Sequence, residues 1–358
     1  MKAASIIKNR RGIAMLVTLT VTTLLVTAVL EMNRRARTGL TAAAMIRDRT
    51  TLMLMAEAGM QLAMAVLIKD KQTSRTDTIQ EDWANPKLLQ QAMEALPFEN
   101  GKVEVNIQDE MAKIQINALV DTPGGRQFNT AQQLLWERFL AIMGPLLEMD
   151  DSFESTAVIN AIKDWIDSGD DDAISGLSGA ESDYYQELDP PYSCRNGIIT
   201  TVDEILKIKG ITPHLFYGDQ QLPGIGAYVT VWGATSAADN TLTFNGKINI
   251  NTAALPVIAA MLPTENQDLA QAIFEYRQEV SDDAFVNDIS NAGWIRNVPG
   301  AADLKIDPKL TTLSSDLFRI QSTATANERA LTVTSVVQRL TAKETGKTFC
   351  KVLTWRID

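Results

Sequence analysis

A run of apolar residues, Ile13 to Leu30 (IAMLVTLTVTTLLVTAVL), lies between a basic, polar start and a charged stretch that begins at Glu31 and includes Arg34, Arg35 and Arg37. Its 18 residues sit near the lower limit for crossing a bilayer as a helix. Five threonines interrupt it, which a helix tolerates because a threonine hydroxyl can bond back to the preceding turn. From Asn33 to Lys69 there is no proline and glycine occurs only at Gly39 and Gly59. Alanine, leucine, methionine and arginine dominate there, all good helix formers. Leu52, Met55, Gly59, Leu62, Val66 and Ile68 recur near helical spacing. The pattern predicts one continuous helix over 13–69, about 85 Å long at 1.5 Å per residue. Its outer half carries an apolar stripe for a globular domain to cover.

Beyond Lys69 the period changes twice. Lys71–Thr78 is polar and reads as a loop, and Asn85–Leu96 as a short helix ended near Pro97. Lys102–Gln108 and Met111–Leu119 alternate as strands do, and Asp109-Glu110 between them predicts a hairpin. From Phe128 to about Pro308 helical patterns dominate: 129–142, 155–166, 201–208, 253–261 and 267–280. Asn129 or Thr130 can cap the first of these, and Thr252 the fourth. After Leu310 strands return at 316–324, 331–339 and 348–356, rich in Val, Thr, Leu and Ile. Strands on both sides of a helical block predict a helical domain inserted into a sheet; two tandem domains would not explain the stranded ends.

Charge narrows the partners. With 44 acidic against 33 basic residues the formal net charge is −11, so the surface repels phosphate and nucleic acid is a poor partner. The single histidine, His214, in a Thr-Pro-His turn, argues against His-rich zinc sites and histidine-dependent triads. No catalytic constellation can be built, and no enzyme activity is expected. Two cysteines, Cys194 and Cys350, allow one disulfide in an oxidising compartment without requiring it.

The N-terminus admits three readings. A cleaved secretory signal needs a small-residue site after the apolar run, and Leu30-Glu31-Met32 supplies none. A plain single-pass anchor fits the length, but basic residues on both flanks leave its orientation undecided. The third is a prepilin signal. The string Arg-Arg-Gly-Ile-Ala-Met-Leu-Val resembles one, with the cut between Gly12 and Ile13; glycine keeps a Cβ out of a tight peptidase site. Seven carboxylates fall between Asp164 and Asp183, with Gly169, Gly176 and Gly179 among them. Calcium takes such oxygen-rich, flexible loops, although the spacing is not that of an EF-hand and a solvated acidic surface is the plainer reading. Ile205–Pro213 and Ile248–Ala260 resemble helix-hairpin-helix repeats, which in a DNA-uptake receptor would grip phosphates. Only Lys207, Lys209 and Lys247 lie near, too few for a basic face.

Taken in order, several segments resemble the type II secretion K family of minor pseudopilins. They are Lys102–Leu119, Asp164-Trp165-Ile166-Asp167-Ser168, Gly179-Ala180-Glu181, Tyr184-Tyr185, Pro190-Pro191-Tyr192, Val202–Leu206, Gly210–Pro213 and Lys247–Ala253. The resemblance implies an α+β, pilin-like fold, with a long N-terminal transmembrane helix packed on an antiparallel sheet and a large inserted all-α domain. It divides the chain into a prepilin leader (1–12), membrane (13–30) and periplasmic (31–70) parts of the helix, and a first pilin portion (71–120). An inserted helical domain (121–309) with two hairpin repeats (121–245 and 246–309) follows, and then the C-terminal strands (310–358). It implies calcium in the helical domain, with Asp167, Asp170, Asp171 and Glu181 as the ligand set. Implied partners are the I and J minor pseudopilins, the prepilin peptidase that cuts at Gly12/Ile13, other pseudopilins, the inner membrane, and secreted cargo or the outer-membrane channel, but no nucleic acid. The implied location is the inner membrane, single-pass, with the C-terminal domain in the periplasm and the new N-terminus methylated. Val17, fifth after the cut, stands where pilin-like subunits usually carry glutamate. A buried carboxylate needs a cationic partner, and a subunit at the tip has none ahead of it, so valine favours a tip position. A minor subunit of a type IV pilus is the neighbouring alternative.

Overall fold

The computed structural model describes residues 10–96, 98, 100–121, 125–169, 174–236 and 242–358. Helix α1 (Arg10–Thr73) and α2 (Pro86–Glu94) lead into β1 (Lys102–Asp109) and the two-residue β2 (Ile114–Gln115). The helical part holds α3 (Thr130–Leu146), α4 (Ser155–Ile166), α5 (Ser182–Gln186) and α6 (Pro213–Tyr217). It continues through short strands β3 (Val229–Thr230), β4 (Ala234–Ser236), β5 (Leu242–Phe244) and β6 (Ile248–Asn249) to α7 (Leu255–Met261) and α8 (Leu269–Gln278). After β7 (Val280–Ser281), β8 (Ala284–Phe285) and β9 (Thr311–Thr312) come the long strands β10 (Leu317–Ala326), β11 (Arg329–Thr341) and β12 (Thr348–Ile357).

One antiparallel sheet, in the order β1-β10-β11-β12, forms the head. Neighbours β1 and β10 are far apart in sequence yet fully paired, Val103 opposite Ala324 and Ile107 opposite Ile320. Everything between them is therefore an insertion into the sheet. Leu52, Met55, Ala56, Met60, Ala63, Met64 and Leu67 form one buried stripe of α1. Their spacing of three and four residues keeps them on one helix face, and they pack on Val103, Ile107, Phe318, Ile320, Val333 and Val337. Gly59 lies within that stripe, where a Cβ would stand 2.3 Å from Ser322 Oγ and 2.7 Å from Val103 Cγ1. The helix closes on the sheet because that residue has no side chain.

The inserted part has its own core, centred on Leu135, Trp136, Phe139, Ile162, Trp165, Ile258 and Trp294. In it α3 packs against α4 and α7, and α7 against α8. Two expectations are corrected here. Helix α1 runs on through Thr73, so the loop expected from Lys71 starts later. The predicted hairpin does not form: β2 pairs in parallel with β3, and Glu110–Ala112 and Ile116–Leu119 are 3-10 turns. Alternation at 111–119 misleads because both faces are buried. Ile114, Ile116 and Leu119 enter the inserted core. Asn117 stands in for a strand neighbour, donating to Ile199 O at 3.0 Å and accepting from Ile199 N at 2.8 Å. Glu110, fully buried, fastens the turn: Arg319 grips it with two nitrogens (3.0 and 2.7 Å), Lys113 lies at 3.3 Å, and Thr230 Oγ1 donates at 2.9 Å. Cys194 and Cys350 are both free. The first lies in the inserted core and the second packs against the head core; burial pushes their thiols up to about 12 and about 11.

Candidate functional site

Three features carry chemistry that packing alone does not require. The first is the free part of α1. Its residues from Gly12 to Leu30 are all exposed, an apolar surface that water would not tolerate and lipid would. Thr18, Thr20, Thr22, Thr23 and Thr27 each donate to the carbonyl four residues back, at 2.7–3.1 Å, so no threonine hydroxyl there is left seeking water. At the charged end Arg34 and Arg35 each reach Glu31 at 2.9 Å. Gly12 has no atom within 4 Å of where a Cβ would stand, and Val17 and Ile13 are each 54% exposed.

The second is the acidic loop after α4. Asp167 is buried, its carboxylate held by the Lys163 ammonium and by Gly169 N at 2.8 Å. Glu181 is buried too and interacts with the Cys194 thiol. Asp170 and Asp171 lie outside the described residues. Asp164, which sequence reasoning leaves outside the ligand set, organises the loop: it accepts from Ser175 N (3.0 Å) and Ala180 N (2.9 Å). Burial holds its carboxyl above the usual range despite these bonds. Oxygen-only donors suit calcium, but the set fits it only if Lys163 leaves Asp167, since a cation already occupies that carboxylate. Tyr184, Tyr185, Tyr192 and Trp165 pack on one another beside the loop. Lys209 Nζ donates to Gly179 O at 3.1 Å and lies over the Tyr184 ring. One of the few cations of the hairpin segments is thereby used inside the fold. His214, exposed as its turn suggests, donates through Nε2 to Leu147 O at 2.7 Å.

The third feature, invisible as a motif, is the junction of inserted domain and head. Arg339 on β11 is buried, and its guanidinium donates to Leu67 O (3.0 Å), Asp70 Oδ2 (2.9 Å), Ser315 O (2.7 Å) and Asp77 Oδ1. Burial alone would lower its pKa, but the carboxylates of Asp77 and Asp70 outweigh that and raise it. Asp109 closes β1 and accepts from Ser315, Thr252, Asn249 and Met111 N. Thr252, a candidate helix cap by position, spends its hydroxyl there, and the residue preceding α7 is Ala254. Asn249 and Asn251 both donate to Asp77 O (2.9 and 3.4 Å), and Trp294 Nε1 donates to Asn251 Oδ1 at 2.8 Å. Arg277, buried, donates to Ile250 O (2.8 Å) and to Ala253 O, and burial pushes it down to about 10. The Lys247–Ala253 segment is thus the hinge piece that ties the second repeat to the head.

A long apolar helix, a four-stranded antiparallel sheet laid on its outer half and a helical cap inserted between adjacent strands define a pilin-like fold whose first helix is long and apolar enough to cross a membrane. The family described as "Type II secretion system (T2SS), protein K" matches residues 112–218. Type II secretion system protein K of Aeromonas hydrophila is 25% identical over 213 residues, 58% of this chain and 61% of that protein. The Klebsiella pneumoniae protein of the same name is 26% identical over 266 residues, 72% of each chain. A solved chain from the GspK-GspI-GspJ complex of enterotoxigenic Escherichia coli shares the fold, with a TM-score of 0.55 at 17% identity, covering 87% of this chain and 97% of that one. The chain is thus similar to type II secretion system K proteins in sequence over its inserted part and in fold over most of its length. It spans about three-fifths of the length of the first relatives it matches.

Proposed function

We propose that this protein is a minor pseudopilin at the tip of the type II secretion pseudopilus, where it joins the I and J minor pseudopilins, starts assembly and serves protein export rather than catalysis. The observation that carries the reading is α1 itself: lipid-compatible from Ile13 to Leu30, and sheet-covered on one stripe from Leu52 to Leu67. A prepilin peptidase cut between Gly12 and Ile13, methylation of the new terminus, and an inner-membrane anchor with head and cap in the periplasm follow from that reading. The related Escherichia coli chain was solved in complex with GspI and GspJ, which supports I and J partners here. Other pseudopilins would pack along the shaft, and the cap would meet secreted cargo or the outer-membrane channel. Val17, inside the apolar segment, needs no cation ahead of it, which suits the last position of a fibre. A DNA-uptake role is not favoured: the net charge is −11 and Lys209 is engaged within the fold. The test is co-purification of the full chain in detergent with candidate I and J subunits. A ternary complex is expected; folded protein that binds neither would overturn the assignment.

Calcium in the acidic loop belongs to the same proposal. Asp167, Asp170, Asp171 and Glu181 would supply its oxygens, with Lys163 swinging away. Calcium at about a hundred times its dissociation constant adds about 2.7 kcal/mol, or several degrees of melting temperature for a domain this size. Thermal scans with calcium and with magnesium should show a rise for calcium alone, reduced in Asp167→Asn. A calcium response equal to that of magnesium would remove the metal from this reading.

A further inference from the structure

The junction holds more negative charge than its own cation matches. Asp70 lies near the end of α1 and Asp77 and Glu81 on the segment that follows, with one carboxylate oxygen from each within 4.8 Å of the others. Asp109 is buried beside them at the end of β1. Arg339 is the one cation ion-paired to this group among the described residues, through Asp70 and Asp77. Nearby cations are engaged elsewhere, Lys71 with Asp316, Lys69 with Asp82, Lys113 and Arg319 with Glu110, and Arg277 on backbone carbonyls, while Arg75, between Asp70 and Asp77 in the chain, is exposed. Four carboxylates around one guanidinium, largely out of water, cannot all stay ionised without a large cost in low dielectric.

We propose that Asp109 keeps a proton, shared with the hydroxyls of Ser315 and Thr252, and that the clamp between cap and head loosens when this proton leaves. The geometry is built for it. Ser315 Oγ stands 2.5 Å from Asp109 Oδ1 and has a second acceptor, Leu317 O, at 3.1 Å. Thr252 Oγ1 stands 2.6 Å from Asp109 Oδ2 and has Asn249 O at 3.2 Å. Either hydroxyl can turn to its carbonyl and accept from a protonated Asp109, so no donor is stranded in either state. The remaining donors, Asn249 Nδ2 and Met111 N at 2.8 Å, hold the other lone pairs. Asn249 and Thr252 come from the inserted domain, Ser315 from the approach to β10, and Asp109 from β1. One carboxyl therefore joins both sides of the insertion.

Burial pushes the Asp109 carboxyl up to about 6 against the pull of Ser315, Thr252 and Asn249, with the charge of Asp77 adding to the rise. Burial, then the charge of Glu81, pushes Asp70 up to about 7. Both shifts are upward, so the folded state binds more protons than the unfolded one. The stability this gives is fully present below the ordinary carboxylate range and is lost as pH rises through about 6 to 7. One such proton changes the unfolding constant by at most about tenfold per pH unit.

The experiment is urea unfolding of the full chain in detergent micelles across that pH window, for wild type, Asp109→Asn and Asp70→Asn. The wild-type unfolding constant should rise several-fold from the acid to the neutral side. Asp109→Asn should remove the part of that rise that falls on the acid side, up to about 6, and Asp70→Asn should remove the part that extends to about 7 and leave the Asp109 part in place. A flat wild-type profile, or an unchanged slope in Asp109→Asn, overturns the proposal. Should Asp109→Asn not fold, infrared spectra of the Asp70→Asn protein decide. A protonated-carboxyl stretch that is lost on crossing the window and shifts in frequency when Ser315→Ala is added, the Ser315 hydroxyl bonding Asp109, supports the proton at Asp109; a stretch that is absent, or unmoved by Ser315→Ala, overturns it.

Discussion

Replacing Arg339 with methionine is expected to cost about 3–5 kcal/mol, the range found when one partner of a buried ion pair is removed. Methionine keeps much of the length and apolar volume, so the loss is chiefly electrostatic. It leaves Asp77 (1% exposed) and Asp70 (9%) without their guanidinium, and it strips donors from the carbonyls of Leu67 and Ser315. The end of α1, the segment after it and the approach to β10 lose a common anchor at once. Urea unfolding in micelles should show a lower midpoint with an unchanged slope if the native fold persists. Adding Asp77→Asn should restore part of the loss, because it removes one of the stranded charges; a double variant as unstable as the sum of the singles would deny that the two residues interact.

Trp294→Ala is expected to cost a similar amount, about 3–5 kcal/mol, but for another reason. The indole is fully buried in the inserted core and lies parallel to the Tyr276 ring at 6.0 Å. Its loss opens a cavity and deprives Asn251 Oδ1 of its donor. Because Asn251 also donates to Asp77 O and Leu313 O, damage should spread from the cap to the junction. Hydrogen exchange would show it as faster exchange at Ile250 and Asp77, whose amides bond to Thr312 O and Leu313 O. Trp294→Phe should lose mainly the hydrogen bond, at about 1–3 kcal/mol for the buried acceptor left behind. Exchange confined to the Trp294 turn in the alanine variant would contradict the coupling.

How much of the fold is legible in the chain follows from how local each signal is. Helix α4 is readable to its ends because Val158, Ile159, Ile162 and Ile166 keep one face apolar and the chain turns polar after it. Strands β10 to β12 announce themselves through dense β-branched residues. The 111–119 segment misleads because a doubly buried stretch and a half-buried strand look alike when Asn117 is satisfied by a backbone far away in sequence. Of the ligand set read from the acidic loop, Asp167 is held by Lys163, and Asp170 and Asp171 lie outside the described residues. A charge pattern says nothing of which cation folds back onto which acid.

The sequence by itself determined the shaft, the apolar stripe on it, the insertion of a helical block between strands and the resemblance to K proteins, because these rest on periodicity and on ordered short motifs. Only the tertiary structure decided the junction. Arg339, Asp77, Asp109, Thr252 and Trp294 come from five distant stretches of chain, none conspicuous alone. They acquire their roles when burial removes water and each polar group must find its partner inside the protein. Gly59 makes the same point in reverse: helix propensity marks it as a weakness, whereas the approach of Ser322 and Val103 makes the missing side chain a requirement.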